Sequence, residues 1–108
     1  MRAKLNKKVL CADGFKMSVQ ANQGAYCTPR EDGADSYTHA EVGFPNLVED
    51  LLLPYAEDPD KPRGTVYGWV PSHVIVAVCA KHRGIVSGEL PAGMRYLHFG
   101  SEELHESR

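Results

Sequence analysis

The chain contains the segment Lys8-Val-Leu-Cys-Ala-Asp-Gly-Phe-Lys-Met-Ser-Val-Gln20, in which two runs of strand-forming residues flank Asp13-Gly14. Asp-Gly between such runs is a strong hairpin signal, because a two-residue type I′ turn needs positive φ at both central positions. In the second run the apolar residues Phe15, Met17 and Val19 alternate with polar ones and so share one face. The segment therefore predicts an antiparallel hairpin whose second strand has one buried face.

Two further strands and one main helix are predicted downstream of the hairpin. Residues 37–44 alternate in polarity and are followed by a proline, which predicts a third strand. Residues 65–70 predict a fourth strand. A proline at the start and Gly84 at the end favour a helix over residues 72–83, although its β-branched residues leave a buried strand as the alternative.

A short second helix is predicted from Asn46 to Leu53, ended by Pro54. Asn46 stands three residues before Glu49, which is a variant of the capping box. The apolar residues at helical spacing in this segment are Leu47, Val48, Leu51 and Leu52.

These elements together predict an α+β fold, an antiparallel sheet of about four strands with an N-terminal hairpin and one main helix packed on one face. We expect residues 1–99 to form a single domain and residues 100–108 to form a frayed tail. Residues 85–93 are interpreted as a loop with a short extended stretch, and residues 96–99 as an added edge strand.

The composition, 43% hydrophobic and 24% charged, is typical of a soluble globular protein. The longest apolar run, Val74–Ala80, is far shorter than the roughly 20 residues of a membrane-spanning helix. No apolar segment follows the basic N-terminus, so a signal peptide is not expected. Three widely spaced cysteines argue against a disulfide framework and predict a cytoplasmic location.

Charge is distributed very unevenly along the chain. Nine of the fourteen acidic residues lie in residues 31–60, a stretch without Lys or Arg that carries a formal charge of −9. The other 78 residues contain all 12 Lys and Arg and the remaining 5 acidic residues, and they carry +7. Such an uneven distribution of charge is evidence about the partners that a protein binds, and it does not indicate the fold.

Aromatic residues flank the second half of this acidic stretch. Tyr and Trp beside polar residues are typical anchors of protein interfaces, which favours a binding role for Tyr55 and Trp69. The alternative is that Tyr67 and Trp69 share one face of the fourth strand and cover the helix. The predicted partner-binding surface consists of Glu31, Asp32, Asp35, Tyr55, Glu57, Asp58, Asp60 and Trp69.

Chemical alternatives are open but have less support. Cys27 is the most loop-like thiol and is expected to be exposed, with Arg30 near enough to lower its pKa. Beside His39 or His73 it would suit a small metal- or ligand-binding enzyme that uses Cys, His and carboxylate groups.

Recognised catalytic and cofactor motifs are absent from the sequence. Cys79 and His82 are the nearest approach to a zinc motif, but no close cysteine pair accompanies them, and a core cysteine and a helix-end cation are the simpler interpretation. Phosphate-loop, dinucleotide-binding and G-x-S-x-G patterns do not occur. The sequence therefore predicts no catalytic residue, no metal and no cofactor, and a net charge of −2 does not favour direct nucleic-acid binding.

Three stretches resemble small uncharacterised accessory proteins of tailed bacteriophages. They are residues 8–19, Glu41-Val-Gly-Phe-Pro45, and Val66-Tyr-Gly-Trp-Val-Pro71 with the helix after it as far as Gly84. None of them is a functional motif, so the resemblance transfers no catalytic residue. It implies a protein that acts in the host cytoplasm by binding and blocking a host protein, such as a component of a defence system.

The sequence thus favours a small non-enzymatic protein-binding module that inhibits a host defence or nucleic-acid-processing protein through an acidic surface. Its expected partner is a host or viral protein with a basic surface. Two alternatives are the small Cys/His enzyme and a homo-oligomeric structural or virion component. In the second, the −9 segment of one subunit would meet the +7 remainder of another.

Overall fold

The computed structural model describes residues 5–95, which form one antiparallel sheet of five strands with a helix packed against it. The strands are β1 (Val9–Cys11), β2 (Lys16–Gln20), β3 (His39–Gly43), β4 (Val66–Pro71) and β5 (Ile85–Ser87). A 3₁₀ helix spans Leu53–Tyr55, and the helix α1 spans Ser72–Lys81. The spatial order of the strands is β4-β3-β2-β1-β5, and every neighbouring pair is antiparallel. The predicted α+β class is confirmed, with β5 adding a strand where the sequence indicated mainly a loop.

The N-terminal hairpin is confirmed, but its turn differs from the predicted one. Val9 pairs with Met17 and Leu10 with Lys16, and the Cys11 N–H donates to the Phe15 carbonyl at 2.8 Å, so three residues rather than two connect the strands. The Gly14 N–H donates to the Cys11 carbonyl at 2.9 Å, and Gly14 has a φ of 96°. This is a three-residue loop that ends in a left-handed glycine, the next most common hairpin after the two-residue type.

The core lies on one face of the sheet, beneath α1. Phe15, Met17 and Val19 are fully buried, as the alternation in β2 predicted. They meet Ile75 and Val78 of the helix in one apolar cluster. Burying side chains of this size contributes about 1.5–3 kcal/mol each, so this cluster is the main source of stability.

The helix α1 ends in a Schellman motif that uses Arg83. The Gly84 N–H donates to the Cys79 carbonyl at 2.8 Å, and the Arg83 N–H donates to the Ala80 carbonyl at 3.1 Å. Arg83 itself has a φ of 76°, a conformation that glycine adopts without cost and other residues do not. The predicted helix is confirmed, but it ends at Lys81 rather than at residue 83, and Arg83 instead of Gly84 takes the left-handed position after its cap.

The predicted short helix at Asn46–Leu53 is wrong. The Asn46 side chain instead accepts from the Lys16 N–H at 2.8 Å and donates to the Gly14 carbonyl at 3.0 Å, so it is held by the hairpin. The chain then continues in turns with i→i+3 bonds, such as Leu52 N–H to the Glu49 carbonyl at 3.0 Å. Of the apolar residues in this segment only Leu52 is fully buried, and Phe44, Leu47, Val48 and Leu51 are exposed.

Within residues 5–95 no helix is long and apolar enough to cross a membrane. The expected edge strand at residues 96–99 and the expected frayed tail at 100–108 lie outside the described residues.

We expect Arg83→Gly to raise the free energy of unfolding by about 1 kcal/mol, because glycine removes the cost of a left-handed backbone at the end of α1. For a domain of this size the melting temperature should rise by about 4–8 °C. Urea and thermal unfolding of the variant measure the effect. A loss of stability would show that Arg83 does not adopt this conformation in solution.

Candidate functional site

One extra residue in β4 turns Trp69 away from the core. Ala40 of β3 pairs with Val70 of β4, and Val42 pairs with Tyr67. Between these paired positions β3 has one residue, whereas β4 has two, Gly68 and Trp69. This is a β-bulge, in which the additional residue breaks the alternation of the strand. Trp69 takes a φ of 49° there, and its side chain is 48% exposed, whereas Tyr67 is fully buried. The alternative that both aromatics share one face of the strand is therefore wrong.

Trp69 packs against Tyr26, a residue that the sequence did not single out. The two rings are stacked with their centroids 4.9 Å apart and their planes at 21°, and the Trp69 N–H donates to the Tyr26 carbonyl at 3.0 Å. Gly68 permits this contact, because a Cβ at that position would lie only 3.3 Å from the Tyr26 side chain. Glycine therefore suits a backbone that passes this close to the Tyr26 side chain, because any larger residue would push that side chain by a few tenths of an ångström.

An open groove of about 300 Å³ lies beside this stack. Its lining, here called the aromatic groove, consists of Tyr26, Tyr55, Glu57, Gly68 and Trp69. The structure thus brings together three of the predicted site residues, Tyr55, Glu57 and Trp69. The bridge between Ala56 and Tyr67 places the segment that carries Tyr55 and Glu57 against β4.

Charged side chains hold Tyr26 in place. Glu41 of β3 accepts a hydrogen bond from the Tyr26 N–H at 2.9 Å. The guanidinium of Arg30 lies over the Tyr26 ring, with Cζ 5.4 Å from the ring centroid, and its Nε donates to the Gln23 carbonyl at 3.2 Å. Cation–π contact of this kind contributes about 0.5–1 kcal/mol at an exposed site. The Tyr26 ring therefore contacts both Arg30 and Trp69, and it lines the groove together with Trp69.

A buried tyrosine holds each of the two acidic loops. In the first acidic loop (residues 31–36) the Tyr37 hydroxyl donates to the Glu31 carbonyl at 2.7 Å and accepts from the Ala34 N–H at 3.1 Å. The second acidic loop (residues 57–65) contains three acids but also Lys61 and Arg63, so its formal charge is −1. In this loop the Tyr67 hydroxyl donates to the Pro62 carbonyl. Both loops are thus tied to the core by side chains that contribute apolar burial at the same time.

The remaining predicted site residues lie on these loops, outside the groove lining. Glu31, Asp32 and Asp35 are exposed, as is Asp60, and Asp58 is half-buried. Asp32 accepts from the Gln23 N–H at 2.9 Å, and Gln23 also receives the bond from Arg30. The first acidic loop is therefore connected to the aromatic groove through Gln23, Arg30 and Tyr26.

Glu49 does not belong to the acidic surface, because it is only 1% exposed. Its carboxylate lies 2.8 Å from Lys81 Nζ and 2.6 Å from His82 Nε2, and it accepts from the Leu51 N–H at 2.8 Å. On the other side of the imidazole, His82 Nδ1 lies 2.7 Å from Asp13 Oδ2. These four side chains, Asp13, Glu49, Lys81 and His82, are called the ion cluster below; Glu49 and His82 are buried, whereas Asp13 and Lys81 are partly exposed.

The ion cluster shifts the pKa of each group toward its charged form. Burial by itself lowers the pKa of His82, but the hydrogen bonds to Glu49 and Asp13 outweigh it and raise that pKa above 6.5. Burial likewise raises the pKa of Glu49, and the bonds from Lys81, Leu51 and His82 outweigh it and lower that pKa below 4.5. The imidazole also stacks on Phe15 with centroids 4.0 Å apart, so one of its faces and both of its nitrogens are engaged by the fold.

This arrangement is structural rather than catalytic. A general base needs a nitrogen within hydrogen-bond reach of a substrate proton, and both nitrogens of His82 already face carboxylates. His82 lies at the end of α1, as its interpretation as a helix-end cation predicted. Its partners Asp13 and Glu49 were not predicted from the sequence. They are 69 and 33 residues away along the chain, and no local pattern connects them.

The expected exposed thiol at Cys27 is wrong. Cys27 is 2% exposed, and its Sγ donates to the Asn22 and Pro29 carbonyls at 3.2 and 3.3 Å. Burial raises the pKa of this thiol, which is the opposite of activation. His39 Nδ1 bonds to Thr38 Oγ1 at 2.8 Å, and His73 is exposed on α1. Across residues 5–95, no group of three or more His, Cys, Asp or Glu side chains is placed to hold a metal ion.

No protein-family model, curated protein or solved structure matches this chain. The resemblance to phage accessory proteins therefore stays a prediction.

The ion cluster predicts a characteristic pH dependence of stability. The contribution of His82 is fully present below its ordinary pKa of 6.5 and is lost as the pH rises through its raised folded-state pKa. The contribution of Glu49 is fully present above its ordinary pKa of 4.5 and is lost as the pH falls through its lowered folded-state pKa. The cluster therefore stabilises the fold most between pH 4.5 and 6.5.

We expect His82→Gln to lower the free energy of unfolding by about 3 kcal/mol, because a buried carboxylate loses one of its two cationic partners. The variant should also lose the decline in stability above pH 6.5. Urea unfolding of both proteins across this pH range tests the expectation. Parallel pH profiles for the two proteins would contradict it.

The positive φ of Trp69 predicts an inverted order of stability between two variants. At an ordinary strand position glycine is about 0.5–1 kcal/mol less stable than alanine. At φ 49° alanine keeps the left-handed cost of about 1–2 kcal/mol, and glycine does not. We therefore expect Trp69→Gly to be more stable than Trp69→Ala, as measured by urea unfolding. The reverse order would mean that the bulge is absent in solution.

Proposed function

We propose that this protein is a non-enzymatic binding module that holds a basic surface of a host or viral protein through the aromatic groove and the two acidic loops. The observation that supports the proposal most is the outward position of Trp69 on a left-handed backbone. Local strain of this kind costs about 1–3 kcal/mol and is concentrated at functional sites. Exposure of an indole adds to that cost, since burial would favour the inward position that Tyr67 occupies.

The composition of this surface agrees with protein recognition. Tyr and Trp are the residues most enriched among the energetic anchors of protein interfaces, and the aromatic groove contains three of them. The acidic loops would surround these anchors with negative charge. A basic partner surface would then be attracted before contact, which speeds association and selects against acidic partners.

The surface is also held in one conformation before any partner arrives. Tyr37 and Tyr67 tie the acidic loops to the core, and Arg30 and Glu41 hold Tyr26. A surface that is ordered in advance loses less conformational entropy on binding. The groove therefore suits a partner that is recognised without rearrangement of this chain.

The resemblance to phage accessory proteins narrows the proposal further. A basic surface that attracts acidic loops is the kind of surface that binds nucleic acid. Occupying it would inhibit a host defence or nucleic-acid-processing protein in the cytoplasm. In this proposal the acidic loops imitate the charge of a nucleic acid, and the aromatic groove supplies the specific contacts.

Affinity capture from a host lysate tests the proposal. The immobilised wild-type protein should retain a partner at low salt and release it at high salt, because screening weakens attraction between exposed charges. The variant Glu31→Lys/Asp60→Lys, which reverses one charge in each acidic loop, should lose that partner. So should Trp69→Gly, which removes the anchor.

The control is Ala77→Lys/Ala80→Lys, which adds two lysines at exposed positions of α1 that belong neither to the groove lining nor to the acidic loops. It should retain the partner as the wild type does. Equal capture by the wild type and by both surface variants would contradict the proposal, and so would the capture of no protein at low salt.

A further inference from the structure

The aromatic stack already holds one guanidinium. Arg30 lies over the Tyr26 ring at 5.4 Å, and Tyr26 stacks on Trp69 at 4.9 Å. The Tyr26 ring thus contacts both a cation of this chain and an indole that is 48% exposed beside the groove. Trp is the best of the aromatic residues at attracting a cation to its face.

A carboxylate stands in the same groove. Glu57 is exposed and contributes to the lining together with Tyr55 and Trp69. Its backbone N–H donates to the Val66 carbonyl at 2.9 Å, which holds the residue against β4. The groove therefore combines aromatic surface with one acidic residue.

We propose that the aromatic groove binds an arginine side chain of the partner, with the guanidinium stacked on Trp69 and hydrogen-bonded to the Glu57 carboxylate. This inference rests on the proposed function and names the group that the groove recognises. A guanidinium is planar, so it can stack on a ring and present two parallel N–H groups to a carboxylate at once. A lysine ammonium offers only a point charge and is more strongly hydrated, so it should bind less tightly.

Charge complementarity selects this occupant over the others. A phosphate or carboxylate group would face the Glu57 charge at close range, where like charges repel. An apolar side chain would fill the groove but would leave the Glu57 carboxylate without a partner. A guanidinium can stack on the rings and donate hydrogen bonds to the carboxylate. Arg30 makes comparable contacts within this chain, with the Tyr26 ring and the Gln23 carbonyl.

The single tryptophan of the chain is in the groove, so its fluorescence reports occupancy directly. We propose a titration of the full-length protein with an oligoarginine peptide while Trp69 fluorescence is followed. The same titration is made with an oligolysine peptide and with an oligocitrulline peptide of equal length. Citrulline has nearly the shape of arginine without its charge, so it separates cation recognition from simple filling of the groove.

We expect the arginine peptide to bind at least about tenfold more tightly than the citrulline peptide, because a hydrogen bond between charged groups is stronger than one between neutral groups. The lysine peptide should bind with intermediate affinity. Glu57→Gln should weaken binding of the arginine peptide by about tenfold, since it removes the charge and keeps the shape.

The matched control is Asp50→Asn, which removes one charge from an exposed acid outside the groove lining. It should change the affinity for the arginine peptide by less than about twofold, as expected of a screened surface charge. Equal affinity for the arginine and citrulline peptides would overturn the inference, as would equal effects of Glu57→Gln and Asp50→Asn.

The two proposals can fail separately. If lysate capture depends on Trp69 but the arginine and citrulline peptides bind alike, the protein is a binding module whose groove takes another side chain. If the arginine peptide binds through Glu57 but no partner is captured, the groove recognises guanidinium and the proposed function is wrong.

Discussion

The extra residue in β4 is the constraint on which the proposed binding surface depends. A regular strand would have placed Trp69 beside Tyr67 in the core, because side chains two apart share a face. The bulge instead turns the indole outward, and the absence of a side chain at Gly68 lets Tyr26 approach and stack on it. Tyr26 in this position contacts Arg30, which links it to the first acidic loop, and Tyr26 and Trp69 form part of the groove wall. Bulges re-aim side chains beside functional sites in many proteins, and this one re-aims the only tryptophan of the chain.

The ion cluster is a second long-range interaction within the fold. Asp13 belongs to the hairpin turn, Glu49 to the segment before the 3₁₀ helix, and His82 to the end of α1. One imidazole therefore joins three parts of the chain that are distant in sequence. Breaking such a pair is expensive because it leaves a buried charge without a partner. The cluster also removes Glu49 from the acidic surface, so the −9 segment presents less charge to a partner than its sequence suggests.

Sequence patterns were sufficient where local geometry decides the outcome. The hairpin followed from Asp13-Gly14 and the alternation after it, and α1 followed from its proline start and its glycine stop. The same reasoning failed at Asn46–Leu53, where capping and helical spacing were both present. There the Asn46 side chain bonds to the hairpin and Glu49 bonds to α1, so long-range contacts outweigh local propensity.

The candidate site was only partly predictable for the same physical reason. Tyr55, Glu57 and Trp69 were identified from their types and their acidic neighbourhood, and the structure places them around one groove. Tyr26 could not be found, since its role depends on the bulge at Trp69, which is 43 residues further along the chain and is not indicated by any sequence pattern. Cys27 was misjudged because the loop around it folds inward and its thiol bonds to backbone carbonyls.

The central claim is that the exposed indole of Trp69 lies in the interface with the partner. Quenching of its fluorescence by acrylamide, measured on the free protein and on the complex with the captured partner, tests this claim most directly. The account predicts that quenching is efficient in the free protein, where the side chain is 48% exposed, and that it falls sharply in the complex. Equal quenching in both states would place the interface elsewhere on the molecule and would contradict the account.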